Sequence, residues 1–234
     1  MGFKAGQPVS PKSKMLLVAS LAPASVDSVA DYVAGADAGL LRISRLGADI
    51  KVLQGYSEAV PDIPWGGWLS GISWREMKQV KRIGCDFVVF PAGNTSLAIL
   101  QNDEVGKILE VEASLDEGLL RTIDGLPVDA VLIAGEQKED YFLTWHHLML
   151  FGRFANSLTK PVLVSVSSRV MANELRVLWE AGVDGVVVEA GAGGLKELRQ
   201  AVDGLTLPPQ RRRRKAEVLL PYISAEPGAA IEEE

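Results

Sequence analysis

The sequence predicts an α/β protein, a single-domain (β/α)8 barrel. Three observations carry this expectation. Short apolar or β-branched runs alternate with longer amphipathic stretches, the pattern of βαβ units around a parallel sheet. Eight such units fit within about 200 residues, enough to close a barrel of this kind. Four joints repeat one phrase, GADAGLL, IGCDFVV, LPVDAVL and AGVDGVV, in which a helix ends near Gly or Pro and an Asp precedes the next strand.

The strands are expected in MLLVAS (15–20), GLLRIS (39–44), IPWGGWLS (63–70), DFVVFPA (86–92), KILEVEA (107–113), DAVLIAG (129–135), PVLVSVS (161–167) and DGVVVEA (184–190). Helical patterns lie between them in SVDSVADYVAGA, WREMKQVKRIG, LDEGLLRTIDGL, EDYFLTWHHLMLFGRFANSLT and MANELRVLWEAG. The second and third units are the weakest. RLGADIKVLQGYSEAVPD has little helical character, and PWGGW is poor strand sequence, which keeps a doubly wound open sheet as the alternative. Glycine at a helix end suits the left-handed terminus. The repeated Asp falls on the lower rim of such a barrel, where residues serve stability. Residues 1–14 read as an N-terminal arm, 15–205 as the barrel, and 206–234 as an irregular tail.

Composition bounds the partners. The chain is 47% hydrophobic and 23% charged, with net charge −6 and pI ≈ 5.1, which gives no bulk attraction to nucleic acid or anionic lipid. No apolar run reaches the ~18 residues of a membrane helix. A single cysteine, Cys85, forms no internal disulfide and fits a cytoplasmic location. The basic run RRRRK at 211–215 sits in a tail that ends EEE, and reads as solvated rather than as a nucleic-acid contact. The expected partner is a small anionic metabolite, and a homo-oligomer is allowed.

In a barrel, function gathers at the C-terminal ends of the strands. The eighth strand runs into GAGG, whose free backbone N–H groups and following helix N-terminus suit an anion. Ser165 and Ser167 in SVSSRV end strand seven beside it. Ser165, Ser167, Gly191, Gly193 and Gly194 are therefore the candidate phosphate-binding residues, with a plain tight turn as the competing explanation.

Strand five adds candidate chemistry. Leu109 and Val111 alternate with Glu110 and Glu112, so an outward apolar face turns both glutamates into the barrel. Inward carboxylates are costly unless paired or metal-bound. Arg42 of strand two is the candidate partner, and Glu136 and Glu189 end strands six and eight. Glu110, Glu112 and Arg42 are the catalytic candidates, and Glu112 with Glu136 the metal candidates. An internal Arg–Glu network is the other reading of the same residues.

Other groups carry less. Lys107 and Lys138 read as solvated lysines rather than Schiff-base nucleophiles. His146 and His147 are adjacent, do not face each other on a helix, and lack a third ligand at helical spacing. Trp65, Trp68 and Trp74 form either an aromatic lid hinged at Gly66, Gly67 and Gly71, or core packing; if exposed, they form a subunit interface.

On the GAGG turn and the Ser165–Ser168 stretch, the sequence resembles the phosphate-binding (β/α)8 (TIM) barrels of the aldolase-type class. The segments LEVEASLDEGLLRTIDGLPVDAVLIAG and KPVLVSVSSRVMANELRVLWEAGVDGVVVEAG more loosely resemble the later half of HpcH/HpaI-type pyruvate aldolases. That resemblance implies a Mg²⁺-dependent lyase, with Glu112 as metal ligand and Arg42 orienting a keto acid. The chain departs from the family where AGEQKED offers Glu136, Glu139 or Asp140 in place of Gly-x-x-Asp. The resulting expectation is a small-molecule lyase or isomerase. An FMN-binding barrel, whose phosphate the same loops would hold, and a non-catalytic scaffold barrel are the alternatives.

Overall fold

The computed structural model describes residues 15–22, 26–44, 46–134, 142–191 and 195–205. Eight parallel strands close into one barrel in sequence order. They are β1 (Leu16–Leu21), β2 (Ala38–Ile43), β3 (Trp65–Leu69), β4 (Phe87–Pro91), β5 (Gly106–Glu112), β6 (Ala130–Ala134), β7 (Val162–Val166) and β8 (Gly185–Glu189). The helices are α1 (Val29–Tyr32), α2 (Leu46–Ala59), α3 (Trp74–Arg82), α4 (Glu117–Ile123), α5 (Trp145–Ser157), α6 (Ala172–Glu180) and α7 (Lys196–Gly204). Between β4 and β5 two 3₁₀ turns, Ala92–Asn94 and Leu97–Gln101, stand in for an α-helix. Parallel pairing of β8 with β1, from Leu16 opposite Gly185 to Ser20 opposite Glu189, seals the sheet and overturns the open-sheet alternative.

The strand alternation makes two cores. Outward residues such as Leu17, Leu41, Val88, Val131 and Val186 pack under the helices with Leu53, Met77, Phe151 and Leu175. Inward residues Val18, Leu40, Trp68, Val89, Leu132, Leu163 and Val187 fill the barrel axis. This is the interdigitated interior of a packed barrel, not a channel.

The repeated joint has a physical basis. Asp37, Asp86, Asp129 and Asp184 each accept the backbone N–H of the preceding strand through Oδ2. Their donors are Leu17, Trp65, Lys107 and Val162, at 2.8, 2.7, 2.7 and 2.8 Å. Each Asp N–H in turn donates to the carbonyl of that same residue. Four two-bond clasps thus hold β2, β4, β6 and β8 to their neighbours at the lower rim. Gly35, Gly84 and Gly182 turn the chain into these joints at φ +89°, +75° and +96°, the left-handed conformation that suits glycine.

The structure corrects several expectations. The stretch judged barely helical forms α2, a helix of 14 residues. PWGGW forms β3 because its glycines make room: a Cβ on Gly66 would lie 2.2 Å from the Phe87 ring inside the barrel. Trp65 and Trp68 are buried, so neither a lid hinged at Gly66 and Gly67 nor a subunit interface built on these two rings survives. Lys107 is not solvated; it is 7% exposed, and its Nζ donates to the Val105 carbonyl at 3.3 Å. His147 caps α5, its Nδ1 accepting the Thr144 N–H at 3.1 Å, and its ring stacks on Phe151.

Cys85 is buried at the foot of β4, and burial pushes its thiol up to about 12. Its Sγ donates to the Phe87 carbonyl at 3.0 Å. The nucleophile is the thiolate, so native protein at pH 8 is expected to resist a thiol reagent such as dithionitrobenzoate. One equivalent should react on unfolding. Rapid labelling of the native protein would refute the buried placement.

Candidate active site at the barrel mouth

Strand register fixes which side chains share a level inside the barrel. A barrel of this type staggers by one residue per strand, so alternate strands contribute each layer of four. Followed through the pairings, this sets Leu40, Val89, Leu132 and Val187 in one layer, all nearly inaccessible. The next layer toward the C-terminal face holds Ser20, Trp68, Glu110 and Ser165. Above it come Arg42, Pro91, Ala134 and Glu189. The interior therefore changes from aliphatic to polar within one layer, at the level where barrel active sites begin.

A short chain of contacts crosses this polar layer. The Trp68 indole Nε1 donates to Glu110 Oε2 at 2.9 Å. The Arg42 guanidinium lies over the same indole, 4.2 Å from the ring centroid, within cation–π distance. Both Arg42 and Glu110 are half-buried. Among the described residues no ion pair joins Arg42 to Glu110 or to any other carboxylate. The tryptophan ring separates the two charges, facing the cation with its π surface and the carboxylate with its N–H.

Glu112, one inward position above Glu110, is exposed, and Ser114 Oγ donates to its Oε2 at 3.3 Å. Ser165 is buried at 6% exposure in the polar layer. Ser167 is half-buried and lines a cavity of ≈ 380 Å³ with Phe142, Arg169, Met171 and Glu174. Gly191 is exposed past β8; a Cβ built there meets nothing within 4 Å, and its φ is not positive. Gly193, Gly194 and Glu136 lie outside the described residues, as does Lys138.

The structure thus brings together Arg42, Glu110 and Ser165, with Glu112 on the rim above. Sequence reading missed Ser20 and the part of Trp68 in this layer. Both were marked by parity, since Ser20 shares the face of Val18 in MLLVAS. As for a metal, no group of three or more His, Cys, Asp or Glu side chains stands together among the described residues. Of the metal candidates Glu112 and Glu136, only Glu112 lies among the described residues. No helix among the described residues is long and apolar enough to cross a membrane.

No protein-family model matches the chain, and no curated protein matches it. Solved structures do. A mutant tryptophan synthase α-subunit from Pyrococcus furiosus is 13% identical with a TM-score of 0.61, over 80% of this chain and 96% of that one. Orotidine 5′-phosphate decarboxylase from Pyrococcus horikoshii OT3 is also 13% identical, with a TM-score of 0.60, over 81% of this chain and all of that one. A FabK mutant from Thermotoga maritima is 15% identical with a TM-score of 0.58, over 76% of this chain and 62% of that longer one. The shared fold is the closed (β/α)8 barrel. At these identities the likeness reaches no further than architecture.

Proposed function

We propose that this barrel is an enzyme of small-molecule metabolism, a lyase or isomerase, whose substrate carries a phosphate or carboxylate and binds at the C-terminal mouth. One observation carries the reading: Arg42 projects into the mouth with an aromatic face for its only described contact, so its charge is available to an anion. Glu110 lies within the same layered site, oriented by the Trp68 N–H, and serves as the proton-transferring group. Glu112 assists from the rim. Ser165 and Ser167 offer hydroxyls to the anionic end, for which Gly191, Gly193 and Gly194 of the sequence motif are the further phosphate-binding candidates. The architecture is one that enzymes use, a tryptophan synthase subunit and a decarboxylase among the solved proteins that share it.

The test is thermal unfolding with inorganic phosphate, glycerol 3-phosphate, FMN, and pyruvate with and without Mg²⁺. A specific ligand at ~100 times its Kd adds about 2.7 kcal/mol of stability. Arg42→Met is expected to abolish the response while leaving the unliganded transition within about 0.5 kcal/mol, since among the described residues the half-buried guanidinium makes no ion pair. A response requiring Mg²⁺ and pyruvate together, lost in Glu112→Gln, would move the assignment to the aldolase-like lyase. Silence from every ligand would sink the enzyme reading and favour a barrel without catalysis.

A further inference from the structure

We infer that Ser20 is a ligand-binding residue at the floor of the mouth, and that the ligand is an anionic metabolite carrying a hydroxyl group. This rests on the barrel-mouth reading above and extends it to a residue and a substrate class. Ser20 is 2% exposed, and among the described residues its Oγ has no hydrogen-bond partner. A buried hydroxyl without a partner costs free energy that alanine at the same position would not incur, so such a group calls for an explanation. The local backbone offers none: the Ser20 carbonyl is engaged by the Ala190 N–H at 2.9 Å, and the strand pairs on both sides with β2 and β8.

The surroundings specify what the hydroxyl awaits. Ser20 shares its layer with Trp68, Glu110 and Ser165, directly above the aliphatic layer and directly below the layer of Arg42. A second anion at that level would meet the Glu110 carboxylate, so the floor takes a neutral oxygen and the anionic head belongs with Arg42. On this floor Ser20 offers a hydroxyl donor and Glu110, across the barrel on β5, a carboxylate acceptor, the two halves of what a ligand hydroxyl uses. A bare anion has no group for this level. Hydroxy acids and polyol phosphates both have the required pair of features, one bearing a carboxylate and the other a phosphate.

The experiment is calorimetric titration of the full chain with glycerol 3-phosphate and glycerate, against inorganic phosphate and acetate as anions without a hydroxyl. Wild type, Ser20→Ala and Arg42→Met are compared, and unliganded melting is recorded for each. Ser20→Ala is expected to melt at or above the wild-type temperature and to bind the hydroxylated probe about tenfold more weakly, the effect of one neutral hydrogen bond. It keeps wild-type affinity for the bare anion, and the preferred hydroxylated probe identifies the head group. Two results overturn the inference while sparing the barrel-mouth reading. One is a melting temperature several degrees lower without ligand, which would mean the hydroxyl is bonded within the protein. The other is unchanged affinity for hydroxylated probes in Ser20→Ala when Arg42→Met has lost it. Binding by Arg42→Met equal to wild type, or by wild type to no probe, refutes the reading and the inference with it.

Discussion

Trp65→Ala is expected to lower the folding free energy by about 3–5 kcal/mol, the range for truncating a large aromatic in a packed core. Trp65 is 1% exposed and points outward from β3. Its ring lies against Tyr56 of α2, with centroids 5.4 Å apart and planes tilted by 47°. Its Nε1 donates to the Val60 carbonyl at 2.9 Å, just past the end of α2. On its own sheet it lies across Gly39, where a Cβ would sit 2.4 Å from the indole. Removing the ring therefore empties a site that three elements were shaped around, and frees a carbonyl besides. Chemical denaturation should show a lower midpoint with an unchanged slope, and the thermal midpoint should fall on the order of 10 °C. Trp65→Phe, which keeps most of the ring area, should recover more than half of the loss. A change under about 1 kcal/mol for Trp65→Ala would mean that α2 does not dock on β3 as described.

The same residues explain what the sequence revealed and what it concealed. Most strands were legible because an inward and an outward core both demand apolar side chains, which leaves apolar runs between turn signals; β3, WGGWL, was the weakest because its glycines are there to make room for the Phe87 ring and the Ile43 side chain. Helix α2 was obscured by features that serve packing. Gly55 weakens the helical pattern, yet it lets Val26 approach, with 3.1 Å to a built Cβ. Val52, Leu53, Tyr56 and Val60 nevertheless keep a stripe facing the barrel. In the candidate site, alternation in KILEVEA was enough to turn Glu110 inward, and the apolar neighbours of Arg42 in GLLRI did the same for it. What alternation cannot supply is the stagger between strands. That stagger decides that Glu110 meets Trp68 rather than Arg42, and that Ser20 from the far end of the sequence shares their level. Lys107 shows the same limit: a lysine at the start of β5 reads as solvated, yet it is 7% exposed with its Nζ on the Val105 carbonyl, which no one-dimensional pattern reveals.

The lower rim provides the second large effect. Asp86→Ala and Asp184→Ala each remove the carboxylate that receives a strand N–H, from Trp65 at 2.7 Å and from Val162 at 2.8 Å. An orphaned donor at a part-buried site costs about 1–3 kcal/mol. These clasps hold strands β4 and β8, on opposite sides of the barrel, and take their donors from different strands, β3 and β7. Distant, independent sites add, so the double variant should lose about 2–6 kcal/mol by denaturant unfolding. Asn at either position retains a side-chain acceptor and should cost less than Ala. If the double variant loses no more than one single variant, the clasps are not independent, and the repeat is a joint device of one opening edge. The clasps lie at the opposite end of the strands from Arg42, Ser20 and Glu110. Below its own transition the double variant should therefore keep the wild-type ligand response, whereas Arg42→Met should lose that response and keep the transition. That crossed pattern would assign stability to one rim and ligand recognition to the other; a loss of ligand response in the clasp variants would instead mean that the mouth is held in shape from below.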